Sequence, residues 1–231
     1  MPDTKQIYQR FADRYDALVC REDYEGHLLP AILQISDLRG KDVIELGAGT
    51  GRLTRLLAPL ARSLTATDLS FQMLNTGKRL LADQWQENLG FTLASHRALP
   101  LPDYTADVVI SGWSFCYAAI DAGEDWQPAL QEALIEVQRV LRPSGCVILI
   151  ESLGTGYEHP NTPPVLINYL RYLNQTGLES TWIRTDYCFK DRAEAQDLTQ
   201  FFFGEKTMPM WEIEEGVIVP ECTGLWWKRF T

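Results

Sequence analysis

The stretch VIELGAGTG, residues 43–51, contains the residue types that could do chemistry: a glutamate followed by three glycines at alternate positions. Glycine has no Cβ, so Gly47, Gly49 and Gly51 allow a tight turn whose backbone a ligand can approach closely. A helix is predicted after the turn, and its first N–H groups would face the same ligand. The stretch is therefore typical of a loop that binds a nucleotide or nucleoside at the end of a strand.

The spacing of the glycines separates two versions of such a loop. A nicotinamide dinucleotide fingerprint, G-x-G-x-x-G, would need a third glycine at position 52, where this chain has Arg52. Asp68 ends the next predicted strand, and a carboxylate there can accept hydrogen bonds from both hydroxyls of a ribose. These residues favour an adenosine-containing ligand without a 2′-phosphate and disfavour a nicotinamide dehydrogenase.

Helical and strand patterns alternate along the chain, which predicts a parallel sheet covered on both faces. Ser70 is the expected N-cap of one helix. After residue 152 the alternation gives way to a loop rich in glycine and proline. The predicted helices cover residues 5–20, 25–38, 50–61, 70–88, 125–141, 165–177 and 191–204, and the predicted strands cover 42–47, 63–68, 91–96, 106–113, 146–152, 179–189 and 223–230.

Composition limits the possible functions of the chain. Its 231 residues carry a net charge of −10, which argues against a mainly electrostatic grip on nucleic acid or an anionic membrane. No apolar run approaches the roughly 20 residues of a membrane span. Five scattered cysteines and three histidines form no metal-like motif. We expect a cytoplasmic protein without a metal, a membrane segment or a nucleic-acid partner.

Four segments carry a resemblance to a known family: VIELGAGTGRLT, LTATDLSFQML, ALPLPDYTADVVISGW and LIEVQRVLRPSGCVILIES. They resemble successive motifs of the class I S-adenosylmethionine (SAM)-dependent methyltransferases, and are similar to the group that includes the ubiquinone/menaquinone biosynthesis enzymes. The resemblance implies an α/β, Rossmann-like, doubly wound sheet of seven strands, in the order 3-2-1-4-5-7-6 with strand 7 antiparallel. We expect one domain over 1–231: N-terminal helices or lid (1–40), SAM-binding core (41–152) and C-terminal substrate-side elaboration (153–231).

The resemblance also implies how the cofactor is held. The chain departs from the family where Ser95 and His96 replace the usual Asp-Ala pair that reads the adenine, so a hydroxyl stands in place of a carboxylate. Ser111 is expected beneath the methionine moiety, and Tyr15 lies in an opening segment that resembles one that closes over SAM. By similarity the cofactor-binding residues are Tyr15, Glu45, Gly47, Ala48, Gly49, Asp68, Leu69, Met73, Ser95, His96 and Ser111.

The methyl acceptor is less constrained by the sequence. Residues 1–27, 113–123 and 153–190 are expected to cap the crevice, and their aromatic side chains suit a small apolar or aromatic molecule. Trp113, Phe115 and Tyr117 are expected to form an aromatic wall. The candidate substrate-binding residues are Trp113, Tyr117, Tyr157 and Arg184, and the candidate bases are His27, Glu151 and His159.

The interpretation is a methyltransferase that forms S-adenosylhomocysteine (SAH) as it methylates a small molecule, as a monomer or homodimer. Two alternatives remain open from the sequence. One is a non-catalytic SAM-binding protein, and the other is a methyltransferase that acts on a macromolecule.

Overall fold

The computed structural model describes residues 4–84, 87–205 and 207–230. Parts of the predicted N-terminal region (residues 1–3) and of the predicted helix 70–88 (residues 85 and 86) lie outside these ranges. The helices are α1 (Thr4–Arg10), α2 (Ala12–Val19), α3 (Leu28–Ile35), α4 (Thr54–Leu57), α5 (Phe71–Leu80), α6 (Tyr117–Ile120), α7 (Trp126–Val140), α8 (Ile167–Gln175) and α9 (Arg192–Phe203). The strands are β1 (Asp42–Leu46), β2 (Ser63–Asp68), β3 (Leu89–Leu93), β4 (Ala106–Gly112), β5 (Leu141–Thr155), β6 (Glu179–Arg184), β7 (Tyr187–Phe189), β8 (Trp211–Ile213), β9 (Gly216–Val219) and β10 (Glu221–Arg229).

The central sheet has seven strands in the order β3-β2-β1-β4-β5-β10-β6. Strands β1 to β5 run parallel to one another, and β10 is antiparallel to both β5 and β6. This is the predicted order 3-2-1-4-5-7-6 with an antiparallel seventh strand, so the expected fold is confirmed. The strand order reverses between β1 and β4, and in open α/β sheets ligands bind beyond the carboxyl ends of the strands at such a point.

The sheet is buried on both faces, which explains the continuous apolar runs of its inner strands. One face packs against α7 and α8, with Leu130, Val137 and Leu173 fully buried. The opposite face packs against α3 and α4, where Ile32 and Leu57 are fully buried. Within the described ranges no helix is both long and apolar enough to cross a membrane.

An insertion between β6 and β10 forms a second, three-stranded antiparallel sheet in the order β7-β9-β8. This sheet, α9 and α2 share a small apolar core that includes Leu18, Phe189, Leu198 and Val219. The N-terminal helices therefore pack on the insertion.

Several element boundaries differ from the sequence-based prediction. The predicted strand 179–189 is two strands in different sheets, because the chain leaves the central sheet after Arg184. Strands β8 and β9 had no counterpart in the prediction. The predicted helix 50–61 keeps only one regular turn, α4. Ser70 does cap α5, accepting a hydrogen bond from the backbone N–H of Met73 at 3.3 Å.

The loop between β3 and β4 is fastened to α7 by one arginine. Arg139 donates to the carbonyl oxygens of Leu99 (3.0 Å) and Leu101 (2.8 Å). It also donates to both carboxylate oxygens of Glu136, which in turn accepts the N–H of Leu99 at 2.9 Å. The arginine thus holds the irregular backbone of residues 94–105, which carries Ser95 and His96.

We predict that Arg139→Met lowers the free energy of unfolding by about 2 kcal/mol, because it leaves two carbonyls and a carboxylate without their donor. Urea unfolding followed by circular dichroism measures the change. The control is Arg171→Met, which removes an exposed arginine of α8 that donates to Asn168 in that helix. It should change the free energy of unfolding by less than about 0.5 kcal/mol. Equal effects for the two variants would contradict the role assigned to Arg139.

Candidate functional site

A cavity of about 1300 Å³ opens at the carboxyl ends of β1, β2 and β4, where the strand order reverses. Its walls come from the glycine turn, the start of α5, the loop after β3, the segment after β4, and the N-terminal helices. Ten of the residues singled out in the sequence line it: Tyr15, Gly47, Gly49, Asp68, Leu69, Met73, Ser95, His96, Trp113 and Tyr117.

The glycine turn needs its glycines for both conformation and space. Gly47 and Gly49 have φ values of 69° and 57°, in the left-handed region that favours glycine. A Cβ on Gly47 would lie 1.8 Å from Ser114 Oγ, and one on Gly49 would lie 3.4 Å from Met73 Cε. The turn is therefore packed closely against the segment after β4 and against α5.

Asp68 joins the ends of β1 and β2. Its Oδ2 accepts the N–H of Gly49 at 2.9 Å, and its Oδ1 accepts the N–H of Ser70 at 2.7 Å. Burial raises the pKa of this carboxyl, and the backbone N–H donors act in the opposite direction. Each carboxylate oxygen has a second lone pair, so the group can accept two further hydrogen bonds from a ligand in the cavity.

Three of the predicted cofactor-binding residues are buried near the glycine turn and do not line the cavity. Glu45 is buried and accepts a hydrogen bond from Thr54 Oγ1 at 2.6 Å, and burial raises the pKa of its carboxyl to about 8. Ser111 is buried and donates to the carbonyl of Leu46 at 3.0 Å. Ala48 is also buried, and its N–H donates to Thr67 O at 2.8 Å.

The four residues expected to contact the adenine all line the cavity. Met73 is 3% exposed and lies on α5 beside Gly49, whereas Leu69 is 71% exposed at the rim. Ser95 Oγ accepts the N–H of Arg97 at 3.3 Å. The cavity wall here is therefore apolar on one side, while the Ser95 hydroxyl has a backbone partner.

His96 forms a pair with Ser114, a residue that the sequence analysis did not single out. Its Nε2 lies 3.0 Å from Ser114 Oγ, and its ring stacks on Phe115 at a centroid distance of 5.8 Å. Burial lowers the pKa of His96 to about 4, so the imidazole is neutral at pH 7. Its Nδ1 is buried with no hydrogen-bond partner among the described residues. Phe115 is itself fully buried and does not belong to the expected aromatic wall.

The aromatic wall is formed by Tyr8, Tyr15, Trp113 and Tyr117. The hydroxyls of Tyr8 and Tyr117 lie 3.1 Å apart, and the rings of Tyr8 and Tyr15 meet edge to face at 5.3 Å. Burial raises the pKa of Tyr117 to about 12, so its hydroxyl is protonated at neutral pH. The positions of Tyr8 and Tyr15 on neighbouring helices bring the N-terminal segment over the cavity.

Trp113 holds a strained backbone conformation in this wall. Its φ is 51°, a left-handed value that costs a non-glycine residue roughly 1–2 kcal/mol. Its N–H donates to Ile150 O at 2.7 Å. The guanidinium carbon of Arg52 lies 3.9 Å from the centroid of its ring. Surrounding contacts therefore fix the orientation of this indole.

The remaining candidates lie outside the residues that line the cavity. Glu151 is buried, and its Oε1 accepts the N–H of Cys116 (3.0 Å) and the hydroxyl of Tyr169 (2.9 Å). Burial raises the pKa of Glu151 to about 7, with both hydrogen bonds lowering it. The structure thus uses this carboxyl to connect the segment after β4 with α8.

The other four candidate residues make contacts near the insertion. Arg184 pairs with both carboxylate oxygens of Asp186 at 2.8 and 2.7 Å, and its carbonyl lies 3.1 Å from His27 Nδ1. The ring of His159 meets that of Trp182 edge to face. Tyr157 accepts a hydrogen bond from Cys222 through its carbonyl oxygen at 3.3 Å. The structure therefore does not bring His27, His159, Tyr157 or Arg184 into the cavity.

Comparisons with known proteins agree with this architecture. A family model described as a methyltransferase domain matches residues 44–149. UbiE from Rickettsia bellii, a ubiquinone/menaquinone biosynthesis C-methyltransferase, is 32% identical over 155 residues, covering 63% of this chain and 58% of that protein. The chain thus spans less than two thirds of the length of the curated relatives it matches.

Solved structures share the fold at low sequence identity. An S-adenosylmethionine-dependent methyltransferase from Aquifex aeolicus is 15% identical with a TM-score of 0.54, covering 97% of this chain and 92% of that chain. The YcgJ protein from Bacillus subtilis is 15% identical with a TM-score of 0.57, covering 89% and 98%. Residues 44–149 are thus similar to a methyltransferase domain, and the sheet has the strand order that the resemblance to class I S-adenosylmethionine-dependent methyltransferases implies.

Proposed function

We propose that this protein transfers a methyl group from SAM to a small-molecule acceptor. The observation that carries the proposal is that the glycine turn, Asp68 and an aromatic wall meet in one cavity at the sheet's reversal point. The wall is made from the N-terminal helices and from the segment after β4, which places it beside the glycine turn. The cavity thus joins a nucleoside-binding half and an acceptor half.

The residues of the cavity suit SAM in shape and in charge. Gly47 and Gly49 leave no Cβ between the backbone and a ligand, and Asp68 keeps lone pairs for the ribose hydroxyls. Leu69 and Met73 offer apolar surface for the adenine. Glu45, Ala48 and Ser111 support the methionine end from beneath, and Ser95 and His96 lie on the adenine side.

SAM supplies an electrophilic methyl group on a sulfonium, so the protein's own task is to align the acceptor and exclude water. Alignment of this kind contributes roughly 7–11 kcal/mol in favourable systems. The rings of Tyr8, Tyr15, Trp113 and Tyr117 line the space and present electron-rich faces, which attract a cation.

Removal of a proton from the acceptor contributes less to the reaction in this cavity than alignment of the acceptor does. His96 lines the wall, but with a pKa of about 4 it accepts a proton at pH 7 only at a cost of about 4 kcal/mol. Its Nε2 is also occupied by Ser114. His27, Glu151 and His159 lie outside the cavity lining. We therefore infer that positioning dominates, and that the acceptor is a nucleophile that needs little help from a base.

The acceptor is inferred to be small because the aromatic half of the cavity is enclosed by the N-terminal helices. Its rim carries Asp121, Asp125 and Glu132, and Arg97 is paired with Glu132 at 3.3 Å. An acidic rim repels a phosphate backbone, which disfavours nucleic acid as the acceptor. The C-methyltransferase names of the matched relatives make electron-rich carbon nucleophiles, which can attack before a proton is removed, the first class to assay.

Binding of the reaction product SAH tests the proposal without knowledge of the acceptor. We expect SAH to bind to the wild-type protein in isothermal titration calorimetry, with NAD giving no heat. Asp68→Asn should weaken SAH binding by about 10- to 100-fold, because it removes charge-assisted hydrogen bonds to the ribose.

The control for this change is Asp37→Asn, at an exposed carboxylate that pairs with Arg39, and it should leave affinity unchanged. Undiminished SAH binding by Asp68→Asn would contradict the site. Transfer of radiolabel from SAM into a small-molecule fraction of cell extract would separate catalysis from SAM binding alone, and label in protein or RNA would favour a macromolecular acceptor.

Two glycines with the same φ of 69° test whether close packing of the glycine turn against Ser114 is needed for ligand binding. Gly47→Ala should abolish measurable SAH binding, because its Cβ would collide with Ser114 and shift the segment that lines the cavity. Gly40→Ala meets nothing within 4 Å, so it should lose about 1 kcal/mol of stability through backbone strain and keep its affinity. Calorimetry and urea unfolding measure both, and equal SAH affinities for the two variants would contradict the turn's assigned role.

A further inference from the structure

Arg52 follows the glycine turn and is not among the residues that line the cavity. Its Nη1 donates to Glu22 Oε2 at 2.5 Å, and the face of its guanidinium lies against Trp113. The side chains of Arg52 and Glu22 are 14% and 3% exposed. The pair is thus largely shielded from water. In such surroundings charge interactions are stronger than at the protein surface.

Glu22 connects this arginine to two further parts of the chain. Its Oε1 accepts the hydroxyl of Thr185 at 3.1 Å, and that hydroxyl lies 2.6 Å from Thr223 Oγ1. Thr185 begins the insertion, and Thr223 lies in β10. One buried carboxylate therefore gathers the N-terminal segment, the insertion and the last strand around Arg52.

Trp113 is the member of the cavity wall that most needs such support. Its left-handed backbone is uncommon for a bulky residue and persists only where neighbouring contacts over-determine it. Arg52 covers one face of its ring, while other parts of the residue line the cavity.

We propose that Arg52 is a positioning residue that couples closure of the N-terminal segment to the shape of the cavity wall, an inference that rests on the proposed function. When Glu22 holds Arg52, Arg52 holds the indole of Trp113, and the same carboxylate anchors the segment that carries Tyr8 and Tyr15 over the cavity. Ligand binding and closure of the segment therefore favour one another.

The chemistry of arginine suits this role better than that of lysine. A planar guanidinium can donate to a carboxylate along its edge and stack on an indole with its face at the same time. A lysine ammonium can satisfy only part of that geometry, although it keeps the charge. Arg52→Lys is therefore expected to rescue part of what Arg52→Met loses.

The first test needs no ligand. Limited trypsin digestion, read by mass spectrometry, measures the first cleavage at the exposed residues Arg10 and Arg14 in the N-terminal helices. Arg52→Met should speed that cleavage by about tenfold or more, because the buried Glu22 loses its partner. Arg52→Lys should give an intermediate rate. The matched control is Arg79→Met, which removes an exposed ion pair between α5 and Asp13 of the N-terminal segment. It should leave the rate of cleavage unchanged.

A double-mutant cycle tests whether Arg52 and Trp113 act together. Trp113→Phe should also speed cleavage, and adding Arg52→Met to it should change the rate less than Arg52→Met does in the wild type. An unchanged rate in Arg52→Met, or rate changes that multiply in the double variant, would overturn the proposal. Cooperative urea unfolding of each variant verifies that the fold is retained.

SAH titration extends the same cycle to the ligand. Arg52→Met should weaken SAH binding by about five- to tenfold in the wild type and by less than about twofold in the Trp113→Phe background. Losses that multiply would overturn the coupling to the cavity. A wild-type protein that fails to bind SAH would contradict the proposed function instead, and the digestion cycle would still decide the link between Arg52, Glu22 and Trp113.

Discussion

The hydrogen bond between the N–H of Gly49 and the carboxylate of Asp68 is the contact on which the site depends. Parallel pairing of β1 and β2 places Leu46 beside Thr67, so Gly47, which follows β1, and Asp68, the last residue of β2, lie at the same edge of the sheet. A turn without side chains can then approach the carboxylate, and the carboxylate satisfies one of its N–H groups. If either partner moved, the cavity would lose both its floor and its main polar group.

The N-terminal helices and the insertion lie around this edge of the sheet. The helices α1 and α2 bring Tyr8 and Tyr15 to the cavity, while the insertion that contains β7, β8, β9 and α9 packs behind α2. Arg14 pairs with Asp197 at 2.6 Å and Arg21 with Glu194 at 2.7 Å, which fastens the N-terminal segment to α9. The first pair is exposed and the second is partly buried, and such pairs each contribute little. Breaking the more buried contact between Arg52 and Glu22 instead leaves a buried charge without its partner.

The core of the fold and the cavity-lining residues around the glycine turn could be predicted from the sequence because their signals are local. The glycines of the turn, the carboxylate ending β2 and the alternation of strands and helices each lie within a short stretch. Asp68, Met73 and His96 accordingly line the cavity. The pairing of β10 between β5 and β6 followed from the family resemblance rather than from any pattern in the residues.

The aromatic side of the cavity and its surroundings could not be predicted as well, because they depend on contacts between distant segments. Ser114 lies only two residues beyond the end of β4, but its pairing with His96 depends on how the loop after β3 crosses α7. Glu151 ends a run of buried strand residues, yet its side chain turns toward Tyr169. His27 and Arg184 meet each other beside the insertion, whose strands β8 and β9, of three and four residues, are too short to be recognised from periodicity.

A crystal structure of the SAH complex would test the central claim most directly. The account predicts that both ribose hydroxyls lie within hydrogen-bonding distance of Asp68, that the homocysteine backbone crosses Gly47 and Gly49, and that the sulfur faces the wall formed by Tyr8, Tyr15, Trp113 and Tyr117. A ribose that binds away from Asp68, or a sulfur that points away from that wall, would contradict it.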